Sequence, residues 1–400
     1  MSNSSWHLAQ GYSFAGIHSG LRPDPNRRDL ALIVSDRPAA AAGVFTQIKI
    51  VAAPVQVSRK RVPTASARGV VVCSGNANAC TGQRGLDDAG AMAEVAAETV
   101  GCPAEQMLVC STGIIGRHLP MNVIESGIRV ASKSLQATSP ALSDAAHAIL
   151  TTDTRIKVAS RMISINGAEI RFTGMAKGAA MIGPNMATML AYVFTDATVA
   201  PQELQGLLRR AADRTFNCVS VEGHTSTNDT LLLFANGAAN GPQLEGSALQ
   251  VYEGAVTDVC GELARAIAED AEGANHLVRI EVEGMRTETD ARRVAKTVAE
   301  SALVKTAIFG ADPNWGRIVS AAANAGVEFA EQNLSLRMGD YLLYDHGTPL
   351  PFDASAASSY LKNNREILIQ LTFDLGSAGC RFWTCDLTYE YVRLNAEYTT

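Results

Sequence analysis

The chain has 400 residues, of which 47% are hydrophobic and 18% are charged, and its net charge is −6. This composition predicts a globular protein with apolar side chains for one large core or two. Nucleic acid is excluded as an expected partner because no Lys/Arg run is long enough to follow a phosphate backbone. A membrane span is also excluded, since no stretch reaches the roughly 18 apolar residues that a membrane helix needs.

The N-terminus and the cysteines indicate a reducing compartment. The first residues, MSNSSWHLAQGYSF, lack the basic start and the apolar segment of a secretion signal. The eight cysteines are scattered, without a CxxC pair and without a His at zinc-finger spacing. We therefore expect a cytoplasmic protein without a structural metal.

Short β-rich runs alternate with Ala-rich helical stretches in the first half of the chain. Apolar runs predict buried strands, and longer stretches with helical periodicity predict helices. The predicted strands are 29–36, 68–74 and 106–111, and the predicted helices are 87–100 and 121–135. Residues 161–174 alternate around Asn166-Gly167, a dipeptide that strongly predicts a β-hairpin.

The second half repeats this mixture. Helices are predicted at 201–216, 251–271 and 289–301, and strands at 277–284, 303–310, 367–376 and 381–398. A chain in which strands and helices alternate in this way predicts a mixed α/β fold with large sheets faced by helices.

Five stretches are richer in small polar residues than a core needs. They lie at 73–82, 110–117, 177–190, 220–230 and 309–318. The first follows a predicted strand, so its backbone N–H groups could serve a site, or its Asn side chains could stabilise a turn. In the last, Asp-Pro-Asn favours a tight turn before a helix.

The second polar stretch allows two interpretations. The Thr112 hydroxyl and the Gly113 N–H could both point at a developing oxyanion. Alternatively, Ser111 or Thr112 could cap the N-terminus of a helix. The spacing alone does not separate these interpretations.

The usual catalytic motifs are missing from the sequence. The seven histidines are isolated, and none lies in a GxSxG, HExxH or CxxCH context. Thr188 lies between Ala187 and Met189, without a His, Asp or Cys near it in sequence. A nucleophile can act without His when it is the N-terminal residue, because its own α-amine is then the base. The reference pKa of an α-amine, about 7.7–8, suits that role.

Several long blocks resemble the ornithine acetyltransferases, also called glutamate N-acetyltransferases. The family's self-cleavage motif resembles KGAAMIGPNMATML. Its other blocks resemble, in the same order, DLALIVSDRPAAAAGVFT, GNANACTG, STGIIG, TTDT, SVEGHTSTNDT, GADPNWGRI and CDLTYEYVRLNAEYTT. The resemblance covers nearly the whole chain, from Gly16 to Thr400.

The resemblance implies an αββα sandwich of the ornithine acetyltransferase type with a smaller α/β portion. It also implies that the Thr188 hydroxyl attacks the Ala187 carbonyl and that the resulting ester is hydrolysed. An α chain of residues 1–187 and a β chain of residues 188–400 would then remain co-folded as one unit. The family suggests an assembly with two of each chain.

The resemblance also implies the site residues. Thr188 would be the nucleophile, and Thr112 and Gly113 would form the oxyanion hole. The implied substrate-binding residues are Thr151, Lys177, Thr188, Glu272, Asn395 and Thr400. Lys177 could pair with the α-carboxylate that ornithine and glutamate share, and Glu272 could accept the side-chain ammonium of acetylornithine.

The implied reaction is a ping-pong acetyl transfer in arginine biosynthesis. Thr188 takes acetyl from N2-acetyl-L-ornithine and gives it to L-glutamate, so that L-ornithine and N-acetyl-L-glutamate are formed. No metal or other cofactor is implied, although acetyl-CoA could serve as a second donor.

Three alternatives stay open. The first is an amide hydrolase or aminopeptidase with the same self-processing Thr, since such folds host these activities. The second is an acetyltransferase of specialised metabolism, and the third is an unprocessed amino-acid-binding relative. The chain departs from the family pattern at His224, Asn275 and His276, which bear on the acceptor preference, and Gly183 occupies a variable position.

Overall fold

The structure is a computed structural model that describes residues 6–183 and 189–397. Its strands are β1 (Tyr12–Ile17), β2 (Leu30–Phe45), β3 (Thr64–Asn76), β4 (Met107–Ile114), β5 (Lys157–Ile165), β6 (Ala168–Lys177), β7 (Leu190–Thr195), β8 (Thr230–Ala235), β9 (Leu277–Met285), β10 (Leu334–Met338), β11 (Tyr341–Asp345), β12 (Thr348–Pro349), β13 (Glu366–Phe373) and β14 (Ala378–Cys385). Its α-helices are α1 (Ala53–Arg59), α2 (Gly82–Val100), α3 (Met121–Lys133), α4 (Ser139–Ala148), α5 (Pro201–Arg214), α6 (Gly246–Glu269), α7 (Glu288–Glu300), α8 (Ala302–Phe309), α9 (Trp315–Ala323), α10 (Ala354–Asn363) and α11 (Tyr389–Glu397).

The larger sheet has the strand order β4-β3-β2-β8-β7-β6-β5, and β1 pairs with β2. The long strand β2 belongs to both halves of this sheet, because its first half pairs with β1 and β3 and its second half pairs with β8. The β2–β3 register shifts between Val34 and Ala39. Such a bulge bends a strand, and β2 therefore joins two sheet halves that face each other.

A central core fills the space between the two halves. Ile33 of β2 and Val72 of β3 enter it from one half, and Tyr192 and Phe194 of β7 enter it from the other. The ring of Phe14 on β1 meets that of Phe194 edge to face, with 5.7 Å between the centroids. Aromatic contacts of this kind add to the apolar burial that holds the halves together.

Helices cover the outer faces of both halves, as the alternation of strand side chains requires. Leu32 and Val71 face α2 and α3. Ala191 and Val193, which alternate with the central-core residues of β7, face α5 and α6. The order is helices, sheet, sheet and helices, which confirms the αββα sandwich.

The smaller α/β portion is also confirmed. Its sheet has the order β12-β11-β10-β13-β9-β14, in which β13 and β9 are parallel. Helix α7 packs on it through Val294 and Val298, beside Ile280 of β9.

The predicted cut between Ala187 and Thr188 lies outside the described residues. It falls between β6 and β7, which pair antiparallel from Phe172 opposite Thr195 to Lys177 opposite Leu190. The two predicted chains would therefore contribute neighbouring strands to one sheet. The division at residue 187 stays a prediction.

The hairpin predicted around Asn166-Gly167 is confirmed. Both residues have positive φ, 52° and 81°, and they join β5 to β6. Two left-handed residues in succession match the twist of a hairpin.

The strand predicted at 303–310 is wrong, because this segment is helix α8. A short apolar run does not by itself distinguish a strand from a helix. Here the Ser301 side chain accepts a hydrogen bond from the Val304 N–H and caps the helix start. Val304, Ala307 and Ile308 are then buried at helical spacing.

The predicted strand at 381–398 is only partly correct. Strand β14 ends at Cys385, and the chain continues as helix α11 rather than as a strand. Thr388 Oγ1 accepts a hydrogen bond from the Tyr391 N–H at 3.0 Å, as an N-cap does. Arg393 pairs with Glu390 and Glu397 at the i,i+3 and i,i+4 spacing that supports a helix.

No helix in the described part of the chain combines the length and apolar character needed to cross a bilayer.

Two glycines give opposite stability predictions. A Cβ on Gly16 would lie 2.0 Å from the Asp144 carbonyl oxygen of α4, whereas a Cβ on Gly90 of α2 would meet nothing within 4 Å. We expect Gly16→Ala to lower the free energy of unfolding by about 1–3 kcal/mol through overpacking. The control Gly90→Ala should raise it by about 0.5–1 kcal/mol. Thermal unfolding of both variants tests this, and an unchanged midpoint for Gly16→Ala would contradict the close approach of β1 and α4.

Candidate active site

Six residues that the family resemblance assigned line one cavity of about 100 Å³. They come from distant parts of the chain and are Thr112, Gly113, Thr151, Lys177, Glu272 and Asn395. The remaining assigned residues, Thr188 with its neighbour Ala187 and the terminal Thr400, lie outside the described residues. The cavity thus joins the ends of β4 and β6, the loops after α4 and α6, and helix α11.

Thr112 and Gly113 lie near the end of β4. The interpretation of Ser111 or Thr112 as a helix cap is wrong, because the next helix begins only at Met121. Gly113 has φ of 132°, and a Cβ on it would lie 2.3 Å from the Gly75 carbonyl carbon. Only glycine fits this backbone conformation and this approach of β3 to β4.

The first polar stretch forms the turn stabilised by Asn side chains. The Asn76 Oδ1 accepts a hydrogen bond from the Asn78 N–H at 2.8 Å, and Thr81 Oγ1 donates to Asn78 Oδ1 at 2.7 Å. Asn78 Nδ2 also donates to the Gly85 carbonyl at 2.9 Å. Ala77, inside this turn, lines the cavity.

Asn228 holds the turn against β4, a role that sequence reasoning missed. Its Nδ2 donates to the Ala77 carbonyl at 2.6 Å and to the Ser111 carbonyl at 2.8 Å. Ser111 Oγ also donates to the Ala77 carbonyl, at 2.7 Å. The polar stretch at 220–230 was the sequence signal for a functional segment, but nothing in its composition distinguished Asn228 from its neighbours.

A buried ion network underlies the cavity and was also missed. Lys157 Nζ lies 2.6 Å from Asp153 Oδ1 and 2.6 Å from Asp270 Oδ2, and the three side chains are almost fully buried. Asp153 accepts hydrogen bonds from the Gly178 N–H at 2.6 Å and from the Thr151 N–H at 3.0 Å. Asp153 therefore ties the Thr151 loop to the residue that follows Lys177.

The charges of this network determine the pKa of the Asp153 carboxyl. Burial by itself would raise the pKa of its carboxyl, but Lys177 and Lys157 lower the pKa to about 2. Burial lowers the pKa of Lys177, and the charge of Asp153 opposes that change. Lys177 Nζ donates to Thr112 Oγ1 at 3.4 Å. An amino group beside a cavity in this way can bind a carboxylate.

Glu272 lines the same cavity as Lys177 and lies in the loop after α6. Its N–H donates to the Ala179 carbonyl at 2.9 Å, and its carboxylate accepts from Asn395 Nδ2 at 3.3 Å. Burial raises the pKa of Glu272, and the hydrogen bond from Asn395 opposes this. A carboxylate that can ionise at this position can accept an ammonium group.

Gly273 fixes helix α11 against this loop. A Cβ on Gly273, whose φ is 68°, would lie 2.6 Å from the Tyr391 nitrogen, and Thr388 Oγ1 donates to the Gly273 carbonyl at 2.6 Å. Helix α11 thereby brings Asn395 to Glu272.

The positions that depart from the family pattern do not line the cavity. His276 has Nδ1 2.8 Å from Asp386 Oδ2 and Nε2 3.0 Å from the Leu361 carbonyl. Asn275 donates its N–H to Asp386 Oδ1 at 2.9 Å. Both residues thus hold the loop that carries Glu272, while His224 is exposed on a different loop.

Gly183 is explained by a close approach of two loops. A Cβ on Gly183 would lie 2.5 Å from the Gly223 carbonyl carbon and 2.8 Å from the His224 nitrogen. The segment before Pro184 therefore lies directly on the 220–230 stretch.

Asp229 contacts the residue that follows Thr188. The Met189 N–H donates to Asp229 Oδ1 at 3.1 Å, and burial raises the pKa of this carboxyl well above its ordinary value. Asp229 therefore holds the backbone just before β7 in place. It lies one residue after Asn228 in a stretch that looked only polar in the sequence.

Over residues 6–183 and 189–397, no group of three or more His, Cys, Asp or Glu side chains could hold a metal ion. The sequence-based expectation that the reaction needs no metal or other cofactor stays a prediction.

The four-layer fold and the polar cavity at its strand ends define an αββα-sandwich enzyme. The model of the ArgJ family matches residues 13–400. A match of this extent shows membership, and the chain belongs to the ArgJ family.

Curated relatives are similar over the whole chain. The arginine biosynthesis bifunctional protein ArgJ 1 of Nostoc sp. is 46% identical over 403 residues, which cover 98% of this chain and 97% of the relative. The arginine biosynthesis bifunctional protein ArgJ of Rhodopirellula baltica is 44% identical over 396 residues, with 98% and 96% covered.

A solved structure is similar to part of the chain. The crystal structure of arginine biosynthesis bifunctional protein argJ from Bacillus halodurans shares 38% identity and a TM-score of 0.50. The match covers 52% of this chain and 98% of that chain.

The buried carboxylate of Glu222 predicts a pH-dependent stability. Burial raises its pKa from 4.5 to about 7, with Lys305 opposing the change. Because the folded state binds this proton more tightly than the unfolded state, the contribution is present at low pH and is lost as the pH rises to about 7. At about 1.4 kcal/mol for each pKa unit, the loss is at most about 3.5 kcal/mol.

We expect Glu222→Gln to remove this loss. The difference in thermal midpoint between this variant and the parent should increase as the pH is raised from 5 to 8. The control Glu94→Gln, at an exposed position, should show no such trend. A constant difference across this pH range would show that Glu222 does not titrate in the fold.

Proposed function

We propose that the protein transfers acetyl from N-acetylornithine to glutamate through an acetyl ester on Thr188. One observation carries this proposal above all others. In a chain of the ArgJ family, six residues assigned from five separate segments of the sequence line a single cavity.

The charges in the cavity suit an amino-acid substrate. Lys177 binds the α-carboxylate that both acetylornithine and glutamate carry, because a buried cation gains most from a partner of opposite charge. Glu272, with Asn395, binds the side-chain ammonium of acetylornithine. Lys177 also lowers the pKa of Glu272, so the two groups are close enough to interact.

Thr112 and Gly113 serve the transition state. The Thr188 hydroxyl attacks the acetyl carbonyl, and the Thr112 hydroxyl and Gly113 N–H stabilise the negative oxygen that forms. Because Lys177 donates to Thr112 Oγ1, the Thr112 hydrogen is left to point at this oxygen. The C–N bond then breaks, ornithine leaves with a proton relayed by the Thr188 α-amine, and the glutamate amine attacks the ester in turn.

The length of the solved relative supports the self-cleavage proposal. The Bacillus halodurans chain matches 52% of this chain while almost all of it is covered. A cut between Ala187 and Thr188 would likewise give two chains that are each about half the length. We propose that these chains remain paired, with two of each in the assembly, and that the enzyme works in the cytoplasm.

The first functional prediction concerns Thr188. Thr188→Ala should stay uncut and inactive, because the same oxygen performs both cleavage and acetyl transfer. Thr188→Ser should be cut slowly. Intact-mass analysis and N-terminal sequencing measure the cut, and acetyl transfer by the Ala variant would place the nucleophile elsewhere.

The second concerns Thr112. Thr112→Ala should lower kcat by about 10²–10³, the usual loss for one oxyanion donor, while the KM for N-acetylornithine changes little. Thr112→Ser keeps the hydroxyl and is the matched control. The assay should follow acetyl transfer to glutamate and acetate release separately, since release to water alone would show an amide hydrolase. Unchanged kcat in the Ala variant would remove Thr112 from the site.

A further inference from the structure

Two cysteine side chains meet where the sandwich adjoins the smaller α/β portion. Cys218 ends a short 3-10 helix, Phe216–Cys218, that follows α5, and Cys380 lies in β14. Their sulfur atoms are 3.7 Å apart, although the two residues are separated by 162 positions in the sequence. Both thiols are free. Neither is among the described residues that line the cavity of the proposed active site.

The backbone holds the two cysteines close to each other. The segment that follows Cys218 is bonded to β14, because the Ser220 N–H donates to the Trp383 carbonyl at 3.0 Å. Within β14, the register against β9 shifts between Ala378 and Cys380. Such a bulge redirects the side chains of the strand. The contact between the two sulfurs is therefore supported by main-chain hydrogen bonds and does not depend on side chains alone.

The two thiols differ in their access to solvent. Cys218 is only 2% exposed, whereas Cys380 is half-buried. Both line a cavity of about 150 Å³, which Arg292 and Glu288 of α7 also line. A small reagent that enters this cavity therefore reaches the Cys380 sulfur, with the Cys218 sulfur 3.7 Å away from it.

The charges around the pair also distinguish the two thiols. The contact with Cys218 and the guanidinium of Arg292 lower the pKa of the Cys380 thiol, while partial burial and Glu288 oppose this change. The contact with Cys380 and burial raise the pKa of the Cys218 thiol well above its ordinary value. Because the thiolate is the reactive form of cysteine, Cys380 is the nucleophile of the pair.

We propose that Cys218 and Cys380 form a reversible disulfide when the protein is exposed to a peroxide. This modification site goes beyond the proposed acetyl transfer and does not depend on it. Other cysteines are less suited, since burial raises the pKa of Cys73, Cys110 and Cys260 to about 12. In a reducing compartment, disulfides that form are usually transient and serve redox sensing or catalysis.

The oxidation balances with one peroxide molecule. The Cys380 thiolate attacks an oxygen of hydrogen peroxide, the O–O bond breaks, and the hydroxide that leaves takes up a proton to become water. Cys380 is then a sulfenic acid. The Cys218 sulfur attacks the Cys380 sulfur, the S–O bond breaks, and a second water leaves with the Cys218 proton. Two thiols are thus oxidised to a disulfide, and an added dithiol reduces it again by exchange.

The disulfide would connect the two portions of the fold. It would join the segment after α5 to β14 and close a loop that spans 162 positions. Both cysteines lie after residue 187, so the bond falls within the predicted β chain. A cross-link across a long loop restricts the unfolded chain. The thermal midpoint of the oxidised protein should therefore be higher than that of the reduced protein, and an unchanged midpoint would contradict this connection.

Mass spectrometry of the parent protein tests the proposal directly. After treatment with hydrogen peroxide, the protein should lose the mass of two hydrogen atoms, and a peptide map without reductant should show Cys218 linked to Cys380. Dithiothreitol should restore the original mass and remove the linked peptide. A map without this link would overturn the proposal.

Serine variants test the order of the two steps. Cys218→Ser should accumulate a sulfenic acid at Cys380, which dimedone traps, whereas Cys380→Ser should leave Cys218 unmodified at the same peroxide dose. Cys102→Ser removes another half-buried thiol and is the matched control. It should form the disulfide as the parent does. Dimedone on Cys218 in place of Cys380 would overturn the assignment of the nucleophile, and the map of the parent decides the proposal even where a variant folds poorly.

Discussion

The buried contact between Lys157 and its two carboxylates, Asp153 and Asp270, is the constraint on which the site depends. Each ion alone would be costly to bury, and the pairing at 2.6 Å offsets that cost. Asp270 comes from the end of α6, Lys157 from the start of β5 and Asp153 from the loop between α4 and β5. The network therefore joins the two chains that the predicted cut would give, because it connects two residues before position 187 with one residue after it.

The same network couples structure to charge in the cavity. Asp153 uses its two oxygens to hold the Thr151 and Gly178 backbones, and its charge favours the cationic form of the buried Lys177. Lys177 then reaches Thr112, so the proposed carboxylate site and the proposed oxyanion hole are linked through one side chain. A substrate carboxylate that pairs with Lys177 would therefore affect both the proposed carboxylate site and the proposed oxyanion hole.

The sequence predicts the sandwich and most of the site through different kinds of signal. Alternation and helical periodicity located most strands and helices. They failed for the segments that follow Ser301 and Thr388, because an apolar run fits a strand or a helix and the capping hydroxyl of each residue favours the helix. The family blocks brought the cavity residues together. The partners beneath them, such as Asp270 and Asn228, were not found because their importance lies in contacts across more than a hundred residues of chain.

The register between β6 and β7 has a consequence for how the protein folds and assembles. The connection between these strands contains the proposed cut, yet the strands pair over six residue positions inside the larger sheet. Before such a cut, the connection would keep the two strands at high effective concentration, and after it only the folded contacts would preserve their pairing. Refolding of the cut protein would then differ from folding of the uncut chain, because the two separated chains would have to find each other as independent molecules, without the covalent connection that first joined them.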